Sequence, residues 1–224
     1  MTEEELLAKA AILLEEERRF RYNVKIVRLM QTIALLSVPL VMLYPERLPT
    51  FLNILSVEAT VALWKNPFFW IIVATQILQI LLNWREAVKI TDPEEFKVSP
   101  KGVIFDLLGG VWGGTTEELT MRWGMFFVLS LFISFLPVPQ IWNYIITLLI
   151  TAFLFAYAHM HLPPFLRFRS GWAGCMFGII MMQQGTFLAA IASHAIGNVT
   201  ATIGGNIASH IRYRQLTKGG VHGS

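Results

Sequence analysis

Residues 123–166 read WGMFFVLSLFISFLPVPQIWNYIITLLITAFLFAYAHMHLPPFL and contain no Asp, Glu, Lys or Arg. A second stretch, residues 170–211, also lacks these four residue types. A helix needs about 20 apolar residues to cross the hydrocarbon core of a bilayer, so each stretch is long enough for two crossings. The sequence therefore predicts a helical protein whose main partner is the lipid bilayer.

The composition of the whole chain leads to the same prediction. Of its 224 residues, 54% are hydrophobic and 15% are charged, whereas a soluble domain usually has about 25% charged residues. The net charge of +3 arises at loop ends and termini, without a dense basic patch among aromatic residues. This distribution argues against nucleic-acid binding. The single cysteine, Cys175, excludes an intramolecular disulfide and a multi-cysteine metal site.

We predict an all-α fold, a polytopic transmembrane bundle of about eight helical segments with an N-terminal amphipathic helix. Prolines, the polar loop 85–102 and Gly185 mark the turns between the segments. The apolar segments cover residues 27–44, 48–64, 66–84, 103–114, 116–136, 140–161, 171–184 and 186–210.

Glycines at a spacing of four residues predict close packing between membrane helices, because a missing side chain lets two backbones approach. The pairs are Gly109 with Gly113, Gly110 with Gly114, and Gly174 with Gly178.

The charges divide the chain into four predicted ranges. Residues 1–26 carry both signs of charge, with leucines at helical spacing, and predict an amphipathic leader at the membrane surface or against a partner. Residues 27–102 hold the first membrane helices and the polar loop, 103–211 the rest of the membrane core, and 212–224 a tail. The leader and the loop 85–102 are the predicted contact regions for a membrane-protein partner.

Lysine and arginine predict the orientation in the membrane. Residues 1–28 contain six of them, the predicted 162–170 loop contains Arg167 and Arg169, and the tail contains three, whereas the turns at 137–139 and 185 contain none. Since basic residues accumulate on the cytoplasmic side, we expect the leader, the 162–170 loop and the tail to face the cytoplasm.

Formal charges at membrane depth are costly, so each is a candidate for function. Glu118 and Arg122 are four residues apart and are predicted to pair on one helix face. Glu117 lies about 100° around the helix from Glu118 and has no basic partner in its own segment besides Arg122. We therefore expect Glu117 to be the carboxylate that exchanges protons.

Two histidines on other apolar segments complete the candidate set. His159 ends the sequence FAYAH, and His194 begins HAIGN, where His194 and Asn198 share a helix face. Other intramembrane hydrolases fit less well. An aspartyl dyad needs two buried aspartates, whereas this chain has only Asp92, in the polar loop, and Asp106, and no histidine is followed by Glu as in a zincin helix.

Three motifs resemble, in order, the EExxxR, FxxxH and HxxxN motifs of the CPBP (CAAX protease and bacteriocin-processing, Abi) family. They are Glu117-Glu118-Leu-Thr-Met-Arg122, Phe155-Ala-Tyr-Ala-His159 and His194-Ala-Ile-Gly-Asn198. The resemblance covers roughly residues 100–210 and makes 103–211 a CPBP-like catalytic core. Many members have Phe before the arginine and Gly directly after it, where this chain has Met121 and Trp123. We expect those departures to alter the shape of the substrate site.

The resemblance implies an intramembrane endopeptidase that acts on a membrane-associated protein or lipidated peptide, which can include a CAAX-like prenylated protein. It implies that Glu117 with His159 activates water and that His194 with Asn198 stabilises the oxyanion. It further implies supporting roles for Glu118, Arg122 and Phe155 and an active site that opens toward the cytoplasm. No cofactor is required in this mechanism. The alternative is zinc held by Glu117, His159 and His194.

Two other classes of function remain open. A non-catalytic scaffold or an immunity or regulatory protein would keep the fold and act through its charged leader and the loop 85–102. A proton- or metal-coupled transporter is disfavoured, because no inverted repeat is visible.

Overall fold

The computed structural model describes residues 3–43, 56–87, 92–160, 162 and 164–219, and all secondary structure within them is helical. This result confirms the predicted all-α class. The helices are α1 (Glu3–Leu43), α2 (Val57–Val61), α3 (Pro67–Ala87), α4 (Pro100–Glu118), α5 (Phe126–Ile133), α6 (Gln140–Ala158), α7 (Pro164–Gln184) and α8 (Phe187–Gly219). Short 3-10 turns cover Ala62–Lys65 and Pro93–Phe96, and a π-helical segment, Leu119–Met125, joins α4 to α5.

The chain forms two compact units, and each combines two separate parts of the sequence. The first unit contains Met1–Ile54 and Leu119–Phe187, and the second contains Leu55–Glu118 and Leu188–Ser224. The domain division predicted from the charges remains a prediction; its ranges are 1–26, 27–102, 103–211 and 212–224.

The first unit is built around α6 and α7, which pack against each other, and around α1, which packs on the π-helical segment. The buried side chains of Met30, Met121, Met125, Phe155 and Ala158 form one apolar cluster between these elements. Gly124 lies so close to Ala34 of α1 that a side chain at Gly124 would collide with it. The π-helical segment is therefore fixed by contact with α1.

The second unit is held together by α8, whose small residues contact two other helices. A Cβ built on Gly197 would lie 3.4 Å from Ile72 of α3. Gly204 contacts Ile80, which also lies on α3. On α4, Gly110 and Gly114 are the residues that contact α8. Small residues at these positions let α8 approach both neighbours closely.

Local chemistry explains where several helices begin and end, as predicted. The Oδ1 atom of Asn66 accepts a hydrogen bond of 2.9 Å from the Phe68 N–H at the start of α3. Gly185 ends α7 with φ of +64°, a conformation that suits glycine. The Thr186 N–H then donates to the Met181 carbonyl at 3.2 Å. The predicted turns at Asn66-Pro67 and Gly185 are confirmed.

The predicted separation of 103–114 from 116–136 is wrong. α4, the π-helical segment and α5 follow one another without an intervening turn. The hydroxyl of Thr115 donates to the Val111 carbonyl at 2.8 Å, and that of Thr116 to the Trp112 carbonyl at 3.0 Å. Both threonines therefore satisfy their hydroxyl groups inside the helix instead of ending it.

The predicted 162–170 loop and the short 171–184 helix are also wrong, because α7 begins at Pro164. Proline suits the first helical position, where its missing N–H would be unpaired in any residue. The Arg167 Nε–H donates to the Leu162 carbonyl at 2.9 Å. This hydrogen bond connects the first turn of α7 to Leu162. Arg167 and Arg169 accordingly lie on a helix.

Within the described part of the chain, three helices are long and apolar enough to cross a membrane: Pro67–Arg85, Gln140–Ala158 and Phe187–Thr217. These agree with the predicted segments 66–84, 140–161 and 186–210. Of the segment 48–64, residues 48–55 lie outside the described residues, and the rest forms only α2 and a 3-10 turn. α1 runs unbroken past residue 26, and α8 continues to Gly219 in the predicted tail. The count of about eight segments and the amphipathic leader remain predictions.

The orientation can be tested with single cysteines at positions 138, 168 and 216 in a Cys175→Ala background. Lysine and arginine accumulate in the leader, at the start of α7 and at the end of α8. We therefore expect cysteines at Phe168 and Leu216 to react with a membrane-impermeant maleimide from the cytoplasmic side, and one at Val138 from the opposite side. Labelling of 138 and 168 from one side would contradict a crossing by α6.

Candidate active site

The second unit contains four of the predicted site residues. Glu117 and Glu118 are the last residues of α4, and His194 and Asn198 lie on α8. Each helix presents a pair at a spacing of four, Gly110 with Gly114 on α4 and His194 with Asn198 on α8. Residues at this spacing share a helix face, so the two pairs can face each other.

The glycines on α4 allow the polar residues of α8 to come close. A Cβ built on Gly114 would lie 3.3 Å from the His194 ring, the Asn198 amide nitrogen and the Ala195 backbone nitrogen. A Cβ on Gly110 would lie 3.2 Å from the Cβ of Asn198. By contrast, no atom of a described residue lies within 4 Å of such an atom on Gly109 or Gly113. The predicted packing role is therefore confirmed for Gly110 with Gly114 and wrong for Gly109 with Gly113.

His194 lies between two carboxylates. Its Nδ1 atom is 3.0 Å from Oε1 of Glu118, and its Nε2 atom is 3.7 Å from Oε2 of Glu117. The Glu118 side chain is fully buried, whereas 41% of the Glu117 side chain is exposed. Each ring nitrogen of His194 thus faces a different carboxylate, one shielded from solvent and one open to it.

The Glu118 contact decides which protons His194 can offer. When Glu118 is ionised, its carboxylate only accepts hydrogen bonds, and Nδ1–H of His194 then donates to it. In a neutral ring, Nε2 is then an acceptor, whereas in an imidazolium Nε2–H is a second donor. Buried Glu118 therefore orients the ring and leaves Nε2 as the nitrogen that faces Glu117.

Asn198 is fixed by a backbone contact to α4. Its Nδ2 atom donates to the Gly110 carbonyl at 2.9 Å. A side-chain amide carries two N–H groups, so this bond accounts for one of them. The other is the group that would serve a donor role toward a ligand.

Arg122, His159 and Phe155 belong to the first unit. The guanidinium of Arg122 is fully buried, and its Nη2 atom donates to the Gly174 carbonyl of α7. Its central carbon lies 6.0 Å from the centre of the Phe155 ring. Gly174 and Gly178 provide the space for this side chain, since a Cβ on either would lie within 4 Å of it. The predicted packing of that glycine pair is confirmed.

His159 caps the C-terminal end of α6. Its Nδ1 atom is 2.7 Å from the Phe155 carbonyl, which can only accept, so Nδ1 carries the proton. The two rings lie 4.7 Å apart. In a neutral ring this leaves Nε2 of His159 as an acceptor, the form required of a base or a metal ligand.

Sequence reasoning missed the contact between Glu118 and His194, because it assigned Glu118 to Arg122. That assigned pair remains a prediction. The signal that could have found the contact is the shared spacing of four in Gly110-x3-Gly114 and His194-x3-Asn198. Of the other membrane-depth charges, Glu58 and Asp106 are exposed, which separates them from Glu118 and Arg122.

The zinc alternative takes Glu117 and His194 from the second unit and His159 from the first. Within the ranges that the structure describes, no group of three or more His, Cys, Asp or Glu side chains is arranged to hold a metal ion. The zinc alternative stays a prediction, and no step below depends on a metal.

Comparison with known proteins gave one family match. Residues 99–200 match the family model described as type II CAAX prenyl endopeptidase Rce1-like. The match agrees with the CPBP resemblance and includes all three motifs. No curated protein and no solved structure matches the chain significantly.

The contact between α4 and α8 can be tested by replacing glycines with alanine. Gly114→Ala places a Cβ against a backbone nitrogen and two hydrogen-bonded side chains, so we expect the free energy of unfolding to fall by about 1–3 kcal/mol. Gly113→Ala is the matched control, because its Cβ meets open space. It should stabilise helix α4 by up to about 1 kcal/mol. Unfolding in detergent would measure both, and equal stability of the two variants would contradict the contact.

Proposed function

We propose, from the premise that residues 99–200 belong to the CPBP family, that the protein is an intramembrane endopeptidase. Its substrate would be a membrane-associated protein, with a CAAX-like prenylated chain as the candidate that the family points to. The observation that supports this best is the half-exposed Glu117 beside His194, whose ring is oriented by the buried Glu118. A general base needs this combination of access to water and a fixed neighbour.

Glu117 is the proposed general base. It would remove a proton from a water molecule as the water oxygen attacks the carbon of the scissile carbonyl. The family motifs assign His159 as the partner of Glu117, and its acceptor Nε2 suits that task. When the tetrahedral intermediate collapses, the C–N bond breaks and the proton passes from Glu117 to the leaving amine.

His194 and Asn198 are the proposed donors to the oxyanion. Asn198 would use its second amide N–H. His194, as an imidazolium, would donate Nε2–H to the oxyanion, while its Nδ1–H stays hydrogen-bonded to Glu118. Donors that are already oriented toward developing charge contribute about 3–4 kcal/mol each when water is excluded. The contacts to Glu118 and the Gly110 carbonyl support this role because they restrict both side chains before substrate binds.

The site is proposed to open toward the cytoplasm. The basic residues of the leader and of α7 support a cytoplasmic position for the end of α6, where His159 is located. A peptide anchored in the cytoplasmic leaflet by a lipid would reach a site at this depth without crossing the bilayer.

Glu117→Gln removes the ionisable group and keeps the shape of the side chain. We expect hydrolysis of a farnesylated CAAX peptide to fall by at least about 10²-fold, with folding retained. Asp106→Asn is the matched control, because it neutralises an exposed carboxylate on the same helix, and it should leave the rate unchanged. A wild-type rate in Glu117→Gln would rule out this base. A wild-type protein that cleaves no membrane-anchored peptide would favour the scaffold alternative.

Metal dependence provides a separate test. Because the proposed base and oxyanion donors act without a metal, we expect protein treated with a chelator to keep its full rate. Elemental analysis of the active preparation should show far less than one zinc per chain. Loss of activity on chelation, with recovery on addition of zinc, would overturn the metal-free mechanism.

A further inference from the structure

A cavity of about 440 Å³ lies in the first unit. Helix α1 and the region from the end of α6 to the start of α7 form its walls. The lining residues are Glu15, Arg18, Tyr22, Met160 and Arg167. The hydroxyls of Tyr22 and Tyr157, 2.9 Å apart, hold α1 against α6 beside the cavity.

The charges of this cavity favour an anion. Among the side chains that the structure describes, two arginines and one glutamate line it, which gives them one net positive charge. Arg18 contacts Glu15 at 2.6 Å. Arg167 uses its Nε–H on the Leu162 carbonyl, which fixes the guanidinium, and no carboxylate among the described residues forms an ion pair with it. The terminal nitrogens of Arg167 are therefore suited to an oxyanion from outside the chain.

The position of the cavity along α6 and α7 indicates where that anion comes from. The candidate membrane span of α6 ends at Ala158, two residues before Met160 of the cavity wall. Phe165 and Phe168 flank Arg167 and are 62% and 72% exposed. Apolar side chains next to a guanidinium at the end of a span match the level at which lipid phosphates meet the acyl chains.

We propose that this cavity binds the phosphate group of an anionic phospholipid of the surrounding leaflet. Arg167 and Arg18 donate to the phosphate oxygens, the Tyr22 hydroxyl supplies a further donor, and Met160 contacts the apolar part of the lipid. A bound lipid would join the leader part of α1 to the start of α7. This binding does not depend on the proposed peptidase activity, so the two can fail separately.

The test uses the full chain in phosphatidylcholine nanodiscs that contain 10% phosphatidylglycerol. Native mass spectrometry measures the phosphatidylglycerol that stays bound. We expect Arg18→Gln and Arg167→Gln each to lower its retention about fivefold, the effect of about one interfacial basic residue. Glu15→Gln removes the competing negative charge and should raise retention.

Arg21→Gln is the matched control, because Arg21 also lies on α1, is similarly exposed and pairs with Glu17, but does not line the cavity. It should retain lipid like the wild type. Equal loss in Arg21→Gln, or wild-type retention in both cavity variants, would overturn the proposal.

Displacement of the lipid by 10 mM inorganic phosphate would assign the site to free phosphate. Displacement by a peptide with a free C-terminal carboxylate, but not by its amide, would assign it to peptide binding. Either outcome would overturn the proposal that the cavity binds the phosphate group of a phospholipid.

Discussion

Glu118 is fully excluded from solvent, and a carboxylate in such surroundings requires hydrogen bonds that compensate for its lost hydration. Part of that compensation comes from Nδ1 of His194, 3.0 Å away on another helix. The contact needs α8 to lie against the backbone of α4, and Gly110 and Gly114 make this possible because no side chain intervenes. The burial of Glu118, the glycine face of α4 and the orientation of the His194 ring therefore depend on one another.

Glu117 and Glu118 are neighbours in sequence but have different surroundings. Helical geometry turns their side chains about 100° apart, so that one side chain is fully buried and the other is 41% exposed. Carboxylates in unlike environments can take unlike roles within one site. Here the buried group orients a histidine, and the exposed group is the one that a water molecule can reach. The doubled glutamate thus supplies a positioning residue and a candidate base from a single turn of helix.

Features set by local chemistry could be predicted from the sequence. Asn66 before Pro67 starts a helix, Gly185 ends one, and long charge-free stretches give the all-α class. Features set by tertiary contact could not. The contact between Glu118 and His194 joins residues 76 positions apart, a separation that no rule of local spacing covers. The continuous run from α4 into α5 was missed because threonine is common both in turns and within helices.

The proposed peptidase function accounts for features of this polar set that the scaffold alternative does not require. Buried ion pairs contribute little net stability, since apolar residues of similar volume often stabilise a protein as well or better. A scaffold could therefore fill the contact between α4 and α8 with apolar side chains. It would have no need for a histidine whose Nδ1 is held by Glu118 while Nε2 faces a half-exposed carboxylate. A hydrolase needs such an arrangement, because a proton must move between water and protein at a fixed position. The cost of burying Glu118 is then explained by the orientation it gives to His194.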